Sequence, residues 1–202
     1  MAHPSEKWAG RPLPDLETKR LHLRQRRLCD APDILEFTRL PEVAYPAGFI
    51  PTQTLADQRT YLEVFYPKNL HDNKLPSGYG LTLKGEDRVI GSIDFNHRLA
   101  DDVLEMGYLL SPDYWCMGLM TEAAEAFLQQ AFEGLALTKV ELECYDYNHA
   151  SRRLANKLGF QEEARLRARK DVRGERCDIL RFGLLKSEWQ GHQKRLQEGD
   201  DR

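Results

Sequence analysis

Three stretches of the chain carry residue types that could do chemistry. The first runs from Glu105 to Ala123. A largely apolar strand pattern, Val103 to Leu110, passes through Ser111-Pro112 to Trp115-Cys116-Met117-Gly118-Leu119-Met120-Thr121, and a helix pattern follows. The first turn of a helix has N–H groups without intrahelical partners and carries the positive end of the dipole. Those two features hold a phosphate or diphosphate without side-chain charge. Gly118 would let the backbone approach such a group closely; read alone, it is equally a tight turn before a helix. The second stretch, Asn148 to Phe160, also opens a helix after a strand pattern, with Asn148 and Ser151 as capping residues that alone read as structural.

The third set is carboxylates. Glu105 sits in an otherwise apolar strand, where burial would raise its pKa toward the range useful to a base. It could instead bind a backbone or arginine partner. Asp94, on the polar face of the preceding strand, is the second candidate base, or an exposed carboxylate. His97 and His22 enter only because histidine titrates near neutrality. The standard nucleotide patterns G-x-x-x-x-G-K-[ST] and G-x-G-x-x-G are both missing.

The elements that must position these groups alternate along 202 residues, a length that suits one domain. A strand is predicted from Leu21 to Arg26, with Arg24 and Arg26 on its polar side. A helix opens at Asp30-Ala31-Pro32-Asp33, and a second, capped by Thr54, runs through Tyr66 and is ended by Pro67. A meander follows at 79–83, 89–95 and 103–110. A helix then reaches Phe132, a strand covers Val140, Leu142 and Cys144, and a helix from Asn148 ends at Gly159, a natural C-cap. Two strands close the chain, at 162–170 and 176–184. The order β-α-α-β-β-β-α-β-α-β-β predicts a mixed α/β single domain. Residues 1–16, with Pro4, Gly10, Pro12 and Pro14, read as an irregular arm; 17–190 is the domain, and 191–202 is a polar, frayed tail.

Composition excludes several classes. Lys plus Arg is 29 and Asp plus Glu is 32, a net charge of −3, so the basic footprint of a dedicated nucleic-acid binder is missing. A local patch for RNA stays open. No apolar run approaches the roughly 20 residues that cross a bilayer. The first residues have no apolar signal core, which points to the cytoplasm and to no membrane partner. Cys29, Cys116, Cys144 and Cys177 are far apart, with no C-x-x-C, so neither a metal site nor a disulfide framework is expected.

Taken together, the stretches resemble the GNAT superfamily of acyl-CoA-dependent N-acyltransferases, best the branch of ribosomal-protein N-terminal acetyltransferases. The likeness covers about 17–190. It rests on Glu17-Thr18-Lys19-Arg20-Leu21-His22-Leu23-Arg24, Val89-Ile90-Gly91-Ser92-Ile93 and Glu105-Met106-Gly107-Tyr108-Leu109-Leu110. It continues with Tyr114 to Ala123, Asn148 to Phe160, and Leu184-Leu185-Lys186-Ser187-Glu188-Trp189.

The resemblance implies a mixed, mostly antiparallel sheet splayed around a cleft for acetyl-CoA, flanked by helices. Backbone groups of Tyr108, Leu109 and Leu110 would pair with the pantetheine arm. The N–H groups of Cys116, Met117, Gly118, Leu119, Met120 and Thr121 would surround the pyrophosphate, and Asn148 and Ser151 would touch the far side of the arm. A serine at the Ser151 position serves in related enzymes as the acid for the departing thiolate. The chain departs from the family at Cys116 and Met117, often Gly-Lys, at Met120, often Ala, and at Ala155, often a tyrosine acid.

The activity implied is acetyl transfer to a primary amine, a protein α-amino group or a small amine, by direct attack in a ternary complex. The amine must be neutral, so a base such as Glu105 or Asp94 lowers the barrier. A backbone N–H at Tyr108 or Leu109 would receive the charge on the carbonyl oxygen. Cys116 is not required as a nucleophile. The competing reading is a non-catalytic acyl-CoA-binding or scaffold protein with a decayed site. The expected partners are the amine acceptor and, undecided by the sequence, a second copy of the chain. On the acceptor side, Tyr45, Phe49, Tyr61, Phe65, Tyr66 and Tyr79 could form a wall, and Arg165, Arg167 and Arg169 are expected on one strand face.

Overall fold

Alternating apolar residues build one sheet. In the computed structural model, which describes the backbone of residues 3–200 and the side chains of 3–194, its strands are β1 (Leu16–Glu17), β2 (Leu21–Arg24), β3 (Tyr79–Leu83), β4 (Val89–Ala100), β5 (Val103–Leu110), β6 (Lys139–Tyr145), β7 (Gln161–Lys170) and β8 (Arg176–Leu185). Met1, Ala2, Asp201 and Arg202, the ends of the expected arm and tail, lie outside the described residues. The spatial order is β1-β2-β3-β4-β5-β6-β8-β7. Neighbours are antiparallel except β5 and β6, which run parallel. That parallel pairing holds only at Val103–Lys139, Leu104–Val140 and Glu105–Glu141. Beyond Glu105 the two strands part, and the sheet splits in its middle. This is the mixed, mostly antiparallel architecture that the resemblance implies.

Helices α1 (Ala31–Thr38), α2 (Pro41–Ala44), α3 (Leu55–Thr60) and α4 (Tyr66–Asp72) precede the meander; α5 (Leu119–Gln129), α6 (His149–Lys157) and α7 (Lys186–Asp200) follow it. The period-2 alternation of β5 divides the core between two faces. Leu104, Met106, Tyr108 and Leu110 join the large cluster with Leu119 and Phe127 of α5, Ala155 of α6 and Leu158 at its C-cap. Leu109 joins the small cluster with Ile34, Phe37, Val43 and Val89 under α1 and α2. Phe127 anchors α5, edge-on to Tyr79 with ring centres 6.1 Å apart and 4.5 Å from Phe95. Burying one such ring is worth about 1.5–3 kcal/mol. Among the described residues no helix is long and apolar enough to cross a membrane.

Two expectations, on Pro67 and on the tail, are corrected, and the arm and Arg24 are placed. Pro67 does not end its helix. The chain first widens into a π-turn at Tyr61–Phe65, where Tyr66 N–H reaches back to Tyr61 O. Pro67 then sits in the first turn of α4, where its missing donor costs no hydrogen bond. The arm is irregular but packed: Ser5 and Leu13 are buried, Ser5 Oγ donates to Asp101 O (3.2 Å) and Gly10 N–H to Leu75 O (2.8 Å). The tail expected to fray from Gly191 continues as α7 to Asp200; buried Trp189 docks this helix on Phe132, ring centres 6.2 Å apart. Arg24, on the other face of β2 from Leu21 and Leu23, is buried. Its guanidinium is buried against Asp30 (2.8 Å) and also reaches Asp87 (3.0 Å).

Candidate active site

The loop into α5 is bent by two left-handed residues, Cys116 (φ 61°) and Gly118 (φ 75°). Gly118 adopts this conformation freely; Cys116 does so at a cost of about 1–2 kcal/mol, the kind of strain that clusters at functional sites. The first bond into the helix is Glu122 N–H to Gly118 O, at 3.1 Å. Among the described residues, the N–H groups from Cys116 to Thr121 donate to no protein acceptor. They form a fan of uncommitted donors at a helix start. The loop's own carbonyl side is anchored instead: Arg20 Nη1 donates to Met117 O (2.9 Å), and Trp115 Nε1 donates to Leu110 O (2.8 Å).

The fan opens beside the split. Ser111 N–H donates to Ile90 O, so Ile90–Ser111 is a hydrogen-bonded pair of the antiparallel ladder. Such pairs alternate, which makes Ser92–Leu109 and Asp94–Gly107 bonded too. The backbone groups of Tyr108 and Leu110 therefore face away from β4, toward the side where β6 has departed. Those of Leu109 face Ser92. This corrects the expectation that all three line the cleft with backbone groups.

The far wall is α6. Asn148 caps it, with Oδ1 accepting from Ser151 N–H (3.0 Å) while Nδ2 donates to Pro46 O (3.1 Å). Ser151 is buried, and its Oγ lies 2.6 Å from the Tyr108 hydroxyl. Burial pushes the Tyr108 phenol well above its ordinary range, against the hydrogen bond with Ser151. Burial likewise pushes the Cys144 thiol up to about 11. Ala155, where the resemblance implies a tyrosine in many members, is buried one turn further on.

The two carboxylates differ. Glu105 stands at the last paired position of β5, opposite Glu141, where the strands separate. Burial raises its pKa; Glu143 adds to the rise, while His97, Asn96 and Arg181 oppose it. His97 is its cross-strand partner on β4. Asp94 is enclosed rather than exposed. Arg26 pairs with it, Tyr66 OH donates to it (3.0 Å), and burial raises its pKa despite both. Arg26 also lies over the Tyr66 ring, 4.1 Å from its centre. His22, on β2, pairs with Asp15 (3.2 Å).

Of the suggested aromatic wall, Tyr79 is core and Tyr66 belongs to the Asp94 network. Tyr45 instead joins Tyr147 around Arg173, whose guanidinium lies 5.1 Å and 5.5 Å from the two rings and pairs with buried Asp171. Sequence reasoning did not find this cluster, because its members come from three separate loops. Nor do Arg165 and Arg169 share a face. A bulge between Leu166 and Arg169 sets them opposite Leu180 and Cys177, which point to opposite sides of β8.

Comparison with known proteins identifies the family and the fold. Residues 20–161 match the acetyltransferase (GNAT) domain family. N-acetyltransferase p20 of Bacillus licheniformis, itself uncharacterized, is 29% identical over 177 residues, 87% of this chain and 98% of that protein. A GCN5-related N-acetyltransferase from Brucella melitensis superposes with a TM-score of 0.76 at 23% identity, over 92% of this chain and 84% of that one. The microcin C7 self-immunity acetyltransferase MccE, solved with acetyl-CoA and AMP, does so with a TM-score of 0.70 at 17% identity, over 83% and 93%. The chain belongs to the GNAT acetyltransferase family, and its acyl donor is acetyl-CoA.

Proposed function

We propose that this N-acetyltransferase acetylates a primary amine, the α-amino group of a protein or a small amine, by direct attack within a ternary complex in the cytoplasm. The observation that carries the reading is the fan of unpaired N–H groups from Cys116 to Thr121 at the mouth of the split. It fits a diphosphate, and the free backbone edge of Tyr108, with the N–H of Leu110 (its carbonyl is held by Trp115 Nε1), fits an extended amide-bearing arm. When bound, acetyl-CoA supplies a thioester carbonyl. Tyr108 N–H is the donor for that oxygen. Glu105, with its raised pKa, takes the proton from the amine directly or through water. Ser151 Oγ holds the proton for the departing sulfur, and Asn148 holds Ser151. Asp94 has both its partners, Arg26 and Tyr66, inside the protein and is the second candidate base. No acyl-enzyme is needed, and the Cys144 thiol, held protonated, is a poor nucleophile. The branch resemblance favours a protein N-terminus as acceptor.

Incubation with acetyl-CoA and a panel of amines tests this. The panel holds peptides with free α-amino ends, polyamines, amino sugars and amino acids. Thiol release with intersecting initial-rate lines is expected on at least one class. Tight CoA binding without turnover on any amine contradicts it.

A further inference from the structure

The loop Trp115–Thr121 contains no lysine or arginine, yet a cation stands against it. Arg20, in the turn before β2, donates its N–H to Glu122 Oε1 and its Nε to Glu122 Oε2, both at 2.7 Å. Its Nη1 holds Met117 O at 2.9 Å. Nη2 is left over. It lies 3.6 Å from the place a Cβ on Gly118 would occupy, and among the described residues it donates to no acceptor. The side chain is 45% exposed, so this N–H looks outward beside the uncommitted amides.

Glu122 explains why a cation is needed there. Burial would raise its pKa, but hydrogen bonds from Thr18 Oγ1, Arg20 N–H and the Arg20 guanidinium outweigh burial and hold it below the ordinary range. It is therefore ionised. A carboxylate in the first turn of a helix competes with any other anion for the dipole and repels it. The guanidinium cancels that charge, fixes the Met117–Gly118 peptide and leaves one N–H free.

We propose that Arg20 is a diphosphate-binding residue, supplying from outside the loop the positive charge that the loop lacks. The proposal rests on the loop being the diphosphate site. It separates binding of the diphosphate from binding of the pantetheine arm, which runs along β5.

The test measures dissociation constants of CoA, 3′-dephospho-CoA and S-acetylpantetheine with the full chain, for wild type, Arg20→Gln and Arg20→Lys. Arg20→Gln is expected to weaken CoA and dephospho-CoA about tenfold or more, and S-acetylpantetheine less than twofold. Arg20→Lys keeps the charge but not the fork and should fall between, again only on the diphosphate ligands. CoA affinity within twofold of wild type in Arg20→Gln overturns the assignment. So does an equal loss on all three ligands, which marks a general disturbance, or a loss on CoA alone, which assigns Arg20 to the 3′-phosphate. Should Arg20→Gln fail to fold, the same ligand pattern is read from Arg20→Lys. A wild-type protein that binds neither CoA nor S-acetylpantetheine contradicts the functional reading itself; wild-type binding with unchanged variants contradicts only the role of Arg20.

Discussion

Tyr108 on β5 and Ser151 on α6 join the two halves of the sheet across the split, their hydroxyl oxygens 2.6 Å apart. The strands beneath them no longer pair, so this contact spans a place where the backbone ladder has opened. Both oxygens belong to buried or half-buried residues, and the phenol stays protonated. The pair is thus a neutral proton-holding unit on the wall of the cleft.

Ser151→Ala removes the oxygen that holds the proton for the sulfur. It should lower kcat on the order of 10- to 100-fold, the modest end for general acids because a thiolate leaves readily. Tyr108→Phe keeps the ring and should cost less in kcat, with a stability loss of about 1 kcal/mol from the lost hydrogen bond. Steady-state kinetics and thermal unfolding of both variants check this; a larger kcat loss in Tyr108→Phe reverses the roles.

Glu105 makes two pH predictions. As the base, it should give kcat/KM an acidic limb whose inflection lies above the ordinary glutamate value of 4.5, and Glu105→Gln should abolish that limb. The stability effect has the opposite direction to that of a salt-bridged acid. A carboxyl whose folded pKa is raised stabilises the fold below its unfolded pKa and loses that contribution as pH rises through the folded value. Glu105→Gln should therefore gain melting temperature relative to wild type as pH goes from 4 to 7. Melting curves at the two pH values settle the sign.

Gly118→Asp should weaken acetyl-CoA binding at least tenfold by calorimetry. It places a carboxylate on the donor fan and a side chain at a φ of 75°, which alone costs about 1 kcal/mol. Unchanged affinity would remove the loop from the binding site.

Arg24 and Asp30 form a pair with 3% and 4% side-chain exposure. Asp30→Asn leaves the guanidinium without its main counter-charge and should destabilise by about 3 kcal/mol. Burial raises the Asp30 pKa, but the Arg24 and Arg27 bonds lower it further, to below its ordinary 3.8. Its contribution is therefore present above pH 3.8 and lost as pH falls through the folded value. Urea unfolding at pH 7 and pH 3 should show the variant's deficit shrinking in acid.

Much of the fold was legible because local rules set it. Alternation defined β4 and β6, an apolar run defined β5, the Asn148 cap and Gly159 bounded α6, and Gly118 marked the start of α5. What was not legible is tertiary. The polar side of β2 reads as solvent-facing until Asp30 and Asp87 arrive to bury Arg24. The bulge that turns Arg169 away from Arg165 leaves no signature in alternating arginines. In the site, Asn148 and Ser151 read as caps, and caps they are; the Tyr108 contact across 43 residues gave them another role. Arg20 escaped notice because its partners, Met117 and Glu122, lie about a hundred residues further along the chain.

The central claim is that the amides from Cys116 to Thr121 receive the diphosphate of acetyl-CoA. Amide-resolved NMR of the labelled chain, titrated with acetyl-CoA, tests it most directly. The largest shifts should fall on residues 116–121, with Tyr108, Leu110 and Arg20 following. Unshifted signals at 116–121 beside saturable changes elsewhere would contradict the account.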